Sequence, residues 1–141
     1  MLTVEKVALL ASTHMFSEVP ARVLASLAGV MAVRDLAVGD VVMTEGEPGE
    51  ALFVVVDGSV RVDSGPTTIQ TLGRGAVLGE LALLDPAPRS ATVTAETPCR
   101  LLELGKEDFD LVMADEPQLP SGVIRYLVQF IRRATAPAER T

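Results

Sequence analysis

The chain has 141 residues, 48% of them hydrophobic, which is one domain's worth and enough to bury a single core without a metal or disulfide. Its formal net charge of -7 excludes the broad basic field on which an independent nucleic-acid binder or an anionic-membrane binder depends. The single cysteine, Cys99, excludes an internal disulfide framework, suits a reducing cytosol, and reads as a small buried apolar side chain on a strand.

Residues 1–32 read as helical. Val4, Val7, Ala8 and Leu10 cluster in a first segment, and Ser17 or Pro20 opens a second in which Val23, Leu24, Leu27 and Ala28 keep helical spacing. The apolar run at 7–11 is too short for a signal-peptide core or a bilayer span, so a cytoplasmic chain with no membrane insertion is expected. His14, the only histidine, is expected at an exposed helix end. From Val33 to Leu104 the pattern changes to short apolar runs punctuated by glycine, at 41–43, 51–56, 60–62, 68–72, 91–95 and 100–104. Strand-and-turn spacing of this kind predicts a β-sandwich or barrel over 33–104. The one helical interruption, Glu80–Leu84, is where a ligand rather than core packing is expected.

That interruption begins the most informative stretch, Leu78-Gly79-Glu80-Leu81-Ala82-Leu83-Leu84-Asp85-Pro86-Ala87-Pro88-Arg89-Ser90-Ala91-Thr92. Gly79 lets the backbone approach a ligand closely, the free N–H groups at the start of the short helix suit an anion, and Arg89 neutralises it. Glu80 beside a phosphate is repulsive unless it accepts hydrogen bonds from another part of the same ligand, such as a sugar hydroxyl. Phosphate plus ribose predicts a nucleotide.

Residues 78–92 resemble the phosphate-binding cassette of the cyclic nucleotide-binding domains, the family of catabolite activator protein and the protein kinase A regulatory subunits. Gly39-Asp40, Glu45-Gly46-Glu47-Pro48-Gly49-Glu50 and Asp57-Gly58 are similar to that family's turn glycines, so the likeness extends over nearly the whole chain. The resemblance implies a β jelly roll in which Gly79 and Glu80 hold the ribose 2′-hydroxyl and Arg89 pairs with the cyclic phosphate. It places Leu81, Ala82, Ser90 and Ala91 around the same cradle. Serine at position 90, where guanine-preferring members often carry threonine, implies cAMP over cGMP. Leu78 stands where an aromatic is common, and Pro86 with Pro88 stiffens the loop.

After Gly105 the helical period returns in Lys106 to Ala114 and again from about Pro120 to Thr135, with Pro117 between them. In the last helix Arg125, Gln129, Arg132 and Arg133 form one polar face, and the rest of the circumference is apolar. One contact with the barrel does not bury that much, so a homodimer through this helix is expected, with Leu127 or Phe130 at its seam. Arg132, Arg133 and Thr135 are the candidates for a lid over the base. Residues 136–141 form a short Pro- and Ala-containing tail.

Catalytic constellations are absent from the sequence. A single histidine does not assemble a metal site, Ser90 has no histidine partner, and no P-loop, CxxC or HExxH pattern occurs. Together these readings predict one α+β, mainly β, domain over 1–141: N-terminal helices at 1–32, a jelly roll at 33–104 and two C-terminal helices at 105–135. It is not an enzyme. It senses a cyclic purine nucleotide, cAMP or cGMP, as regulatory ligand rather than catalytic cofactor, and signals to an effector domain or protein outside this chain. The alternative is a protein-interaction or dimerisation module that keeps the fold and binds no nucleotide.

Overall fold

The strand that organises the molecule is the most apolar one. Leu52-Phe53-Val54-Val55-Val56 is buried without a break because this strand is covered on both sides. Leu52, Val54 and Val56 join a cluster with the helices, while the alternate residues Phe53 and Val55 point into the space between two sheets. The computed structural model describes residues 1–136, so all but the first residue of the 136–141 tail lies outside the described residues.

In chain order the elements are α1 (Thr3–Ala11), α2 (Ala21–Val30), β1 (Ala32–Leu36), β2 (Val41–Met43), β3 (Pro48–Gly49), β4 (Ala51–Asp57), β5 (Val60–Ser64), β6 (Thr67–Leu72) and β7 (Val77–Leu78). There follow α3 (Glu80–Leu84), β8 (Ala87–Pro88), β9 (Thr92–Ala95), β10 (Cys99–Gly105), α4 (Lys106–Asp115) and α5 (Gln118–Ala134). One four-stranded sheet has the order β1-β10-β4-β7 and the other β2-β9-β5-β6, all antiparallel, and β3 with β8 makes a separate two-stranded ribbon. The result is the expected mainly β jelly roll flanked by helices. The expected strands at 41–43, 51–56, 60–62, 68–72, 91–95 and 100–104 all form, within a residue or two at their ends. β1, β3, β7 and β8 add to them; three of these are two residues long, and β1 is mostly exposed and carries Arg34 and Asp35 at its centre.

Two apolar clusters hold the fold. Leu36, Met43, Val60, Val62, Leu78, Val93, Cys99 and Leu101 fill the sandwich with Phe53 and Val55. The buried Cys99 thiol donates to the carbonyls of Ser59 and Thr97 at 3.1 Å each. The helical cluster sets Leu9, Leu10, Val23, Leu24, Leu27, Phe109, Val112, Leu119 and Val123 against the outer face of β4 and β10. Each fully buried leucine or valine contributes about 1.5 to 3 kcal/mol. The Lys6 ammonium donates to the carbonyls of Ala28 and Met31 at 3.4 and 3.3 Å, a cation on the negative end of α2.

Helix α5 is pinned only along its first half. It starts at Gln118, two residues before the expected Pro120, because a proline in the first turn has no helical N–H to lose. Gly122 lies so close to the segment before α2 that a methyl group there would come within 2.7 Å of Val19 Cγ2. Arg125 donates to Glu18 at 3.0 Å, and Arg22 ties Glu116 and Gln118 to α2 at 2.9 Å each. Leu127 is half-buried against the helical cluster, and residues 128–136 are exposed. Among the described residues no helix is long and apolar enough to cross a membrane.

Candidate functional site

Helix α3 is short and held from one side. Leu83 is fully buried in the helical cluster, Leu84 packs against it, and Lys106 Nζ donates to the Leu83 carbonyl at 3.1 Å. Gly79 precedes the helix at φ +79°, a left-handed conformation that a side chain resists, and its carbonyl accepts the first helical bond from the Leu83 N–H. The N–H groups of Glu80, Leu81 and Ala82 are therefore without helical acceptors.

Arg89 reaches the same place from the other direction. The β3–β8 ribbon pairs Pro48 with Pro88 and Gly49 with Ala87, and Arg89 just beyond it donates its N–H to the Glu47 carbonyl at 2.8 Å and accepts from the Gly46 N–H at 2.9 Å. Its guanidinium then lies across Gly49, where an added methyl group would overlap Nε and Cζ. Gly49 is not in the left-handed region, so what matters at this position is space, not conformation. At Gly79 an added methyl group would lie 2.8 Å from the Ala51 carbonyl oxygen, the same oxygen that accepts a hydrogen bond from Arg89 Nη2 at 2.9 Å.

The other terminal nitrogen, Nη1 of Arg89, is buried and has no hydrogen-bond partner among the described residues. Leaving a buried donor of a charged group unsatisfied costs about 1 to 3 kcal/mol or more. Burial also presses the Arg89 pKa down, although a guanidinium keeps its proton in a protein. Among the described residues no carboxylate forms an ion pair with it.

Between Arg89 and α3 opens a cavity of about 420 Å³. Gly79, Glu80, Leu81, Ala82, Arg89, Ser90 and Ala91, the seven residues expected at the cassette, all line it. Its apolar walls come from Met43, Val62, Leu72 and Val93, residues of the second sheet that sequence reasoning assigned to no site. Arg132, Arg133 and Thr135 do not line it: they stand exposed in and just after the last turn of α5, and the Thr135 hydroxyl donates to the Ile131 carbonyl at 2.9 Å. Glu80 is half-buried, and burial pushes its carboxyl above the ordinary range. The Tyr126 hydroxyl donates to Glu80 Oε1 at 3.4 Å and pulls weakly the other way.

A cationic donor with a free N–H, a carboxylate acceptor and apolar walls within one cavity suit a ligand that carries an anion, a hydroxyl and a flat apolar body. A family model described as the cyclic nucleotide-binding domain matches residues 33–116. The chain belongs to that family. It is 38% identical over 111 residues to a cyclic nucleotide-gated potassium channel of Mesorhizobium japonicum, covering 79% of this chain and 31% of the channel. To a CRP-like cAMP-activated global transcriptional regulator of Mycobacterium tuberculosis it is 28% identical over 130 residues, covering 89% of this chain and 58% of the regulator. The crystal structure of the N-terminal domain of a transcriptional regulator from Streptomyces coelicolor superposes with a TM-score of 0.86 at 30% identity, over 94% of this chain and 99% of that one. The chain thus spans about a third and somewhat over half of these two curated relatives. It is a cyclic nucleotide-binding regulatory domain.

Three site features escape a reading of the sequence alone. Gly49 has the look of a turn glycine after proline, and nothing local says that an arginine forty positions away will lie on it. Ala51 contributes a backbone carbonyl, which leaves no mark in a side-chain motif. Tyr126 sits in an apolar helical run, where an aromatic reads as core.

Proposed function

We propose that this chain is a cAMP sensor in which Arg89 pairs with the cyclic phosphate, Glu80 accepts from the ribose 2′-hydroxyl, and Gly79, Leu81, Ala82, Ser90 and Ala91 complete the cradle. The observation that carries this reading is that Arg89 lines the cavity with Nη1 buried and, among the described residues, without a partner, while Nη2 is held on the Ala51 carbonyl. That arrangement orients the guanidinium and leaves Nη1 as the donor for an anion. The phosphate fits because the N–H groups of Glu80, Leu81 and Ala82 offer further donors nearby.

The domain acts by binding and movement, not by catalysis, in the cytoplasm. Occupancy draws α3 toward the ligand, and α5 follows as a lid whose last turn carries Arg132, Arg133 and Thr135. The exposed face of α5 also supports pairing with a second copy. Ile124, Val128 and Ile131 form an apolar stripe at helical spacing, with 59%, 38% and 60% of their surface open.

Titration calorimetry with cAMP and cGMP tests the ligand assignment. cAMP is expected to bind more tightly, and Ser90→Thr to move the ratio toward cGMP. Displacement of cAMP by an equal or lower concentration of cGMP would reverse the preference, and no binding of either would favour an interaction module on the same fold.

A further inference from the structure

Glu80 stands in a partition between two cavities. The ligand cavity lies on one side, and on the other is a second space of about 450 Å³ bounded by the turn at 12–15, the segment at 74–77 and Tyr126. Val77 and Glu80 are common to both linings, and Tyr126 is the only α5 residue in either. A ligand hydroxyl therefore approaches Glu80 from the first cavity, whereas the Tyr126 hydroxyl approaches from the second. The carboxylate has two oxygens and room for more than one donor. Among the described residues it accepts only from Tyr126, on Oε1, and the distance of 3.4 Å is well beyond the 2.7–2.8 Å typical of a hydroxyl hydrogen bond.

Tyr126 also stands at a boundary within α5. Up to Arg125 the helix is fixed by Leu119, by the close approach of Gly122 to Val19, and by the ion pair to Glu18. Beyond Leu127 its residues are exposed. One turn on from Tyr126, Phe130 is tilted against it, with ring centroids 6.3 Å apart and an angle of 48° between the planes. Glu80, Tyr126 and Phe130 thus form a continuous path from the wall of the ligand cavity to the exposed half of the helix.

We propose that Tyr126 is the positioning residue that ties α5 to the occupied site: the ligand hydroxyl and the Tyr126 hydroxyl share the Glu80 carboxylate from opposite sides, and binding shortens the tyrosine contact. This rests on the reading that a cyclic nucleotide occupies the first cavity. A ligand hydroxyl that orients Glu80 and excludes water from its cavity makes the remaining carboxylate contact stronger. Tyr126 closes on Glu80, Phe130 moves with it, and the exposed half of α5 settles against the body. Because coupling is reciprocal, whatever the closed helix gains from ligand the ligand gains from the closed helix. The hydroxyl is therefore a contributor to affinity that never touches the nucleotide.

Tyr126→Phe is the direct test, since it removes one oxygen and keeps the ring that packs on Phe130. Two measurements are made on the full chain with cAMP as probe: calorimetric affinity across acidic to neutral pH, and amide hydrogen exchange of residues 124–134 with and without cAMP. The expected result is an affinity about three- to tenfold weaker, the net worth of one hydrogen bond, with loss of cAMP-dependent protection in α5. The acid limb of binding should also move to higher pH, because the hydroxyl stabilises ionised Glu80 and its removal raises the carboxyl further. Arg89 and Asp85 in the first cavity, His14 and Arg74 in the second and Arg133 on α5 are unchanged between the two proteins, so a difference between their pH profiles belongs to the hydroxyl. A parent chain that binds neither cAMP nor cGMP overturns the functional reading and this inference together. A parent that binds cAMP, beside a variant that binds equally or more tightly and keeps the protection of α5, overturns the role of Tyr126 alone.

Discussion

The guanidinium of Arg89 lies against Gly49, and any side chain at position 49 would occupy the space of its Nε and Cζ atoms. The two residues are brought together by the β3–β8 ribbon, whose register sets Gly49 opposite Ala87. Gly49→Ala is consequently a test of the arginine made without touching it. Its backbone conformation is one that alanine adopts freely, so the variant should fold and melt near the parent. The methyl group should displace the guanidinium and weaken cyclic nucleotide binding at least tenfold, or about 1.4 kcal/mol. Unchanged affinity by calorimetry would mean that the arginine need not lie there.

Glu80 links binding to pH. Burial raises its carboxyl pKa in the folded chain above the unfolded value, so the folded state gains from holding the proton. That contribution is fully present below the unfolded value and is lost as pH rises through the folded one. Glu80→Gln carries no charge to desolvate, so thermal melts of the ligand-free protein should show it matching the parent in acid and exceeding it in stability near neutral pH. The same variant should bind cAMP more weakly by about 1.5 to 3 kcal/mol, because a charge-assisted acceptor is lost. A parent whose stability advantage over the variant grows with pH would contradict the burial argument.

Ile131 is 60% exposed on the stripe it shares with Ile124 and Val128. It is a cleaner probe of pairing than Phe130, which packs on Tyr126. The parent should sediment as a dimer at ~10 μM, a concentration that populates complexes of −7 kcal/mol or tighter. Ile131→Glu should sediment as a monomer with an unchanged melting temperature, since the anchoring of α5 ends before that residue. A parent that is monomeric at this concentration would mean that the stripe does not pair copies of the chain.

How far such features can be read from sequence depends on whether their cause is local. The bounds of α3 are legible because Gly79 and the Glu80–Leu84 run carry their own signals, and β4 is legible because a strand covered on both faces is apolar at every position. The turn at 13–19 is not, although Met15, Phe16 and Val19 are buried in the helical cluster, because its apolar residues follow neither a helical nor a strand period. The seven cassette residues are legible as a group because they are nearly contiguous in the chain. Gly49, the Ala51 carbonyl and Tyr126 join them only through the β3–β8 ribbon, the path of β4 and the crossing of α5, which are products of the whole fold.

The central claim is that Arg89 meets the phosphate of a cyclic nucleotide, and a calorimetric titration of cAMP into the parent and into Arg89→Leu tests it most directly. Loss of a charge-assisted contact should cost about 1.5 to 3 kcal/mol, with the melting temperature of the ligand-free variant equal to or above the parent's, because the unpartnered Nη1 is removed with the side chain. Equal affinity in the two proteins would contradict the account.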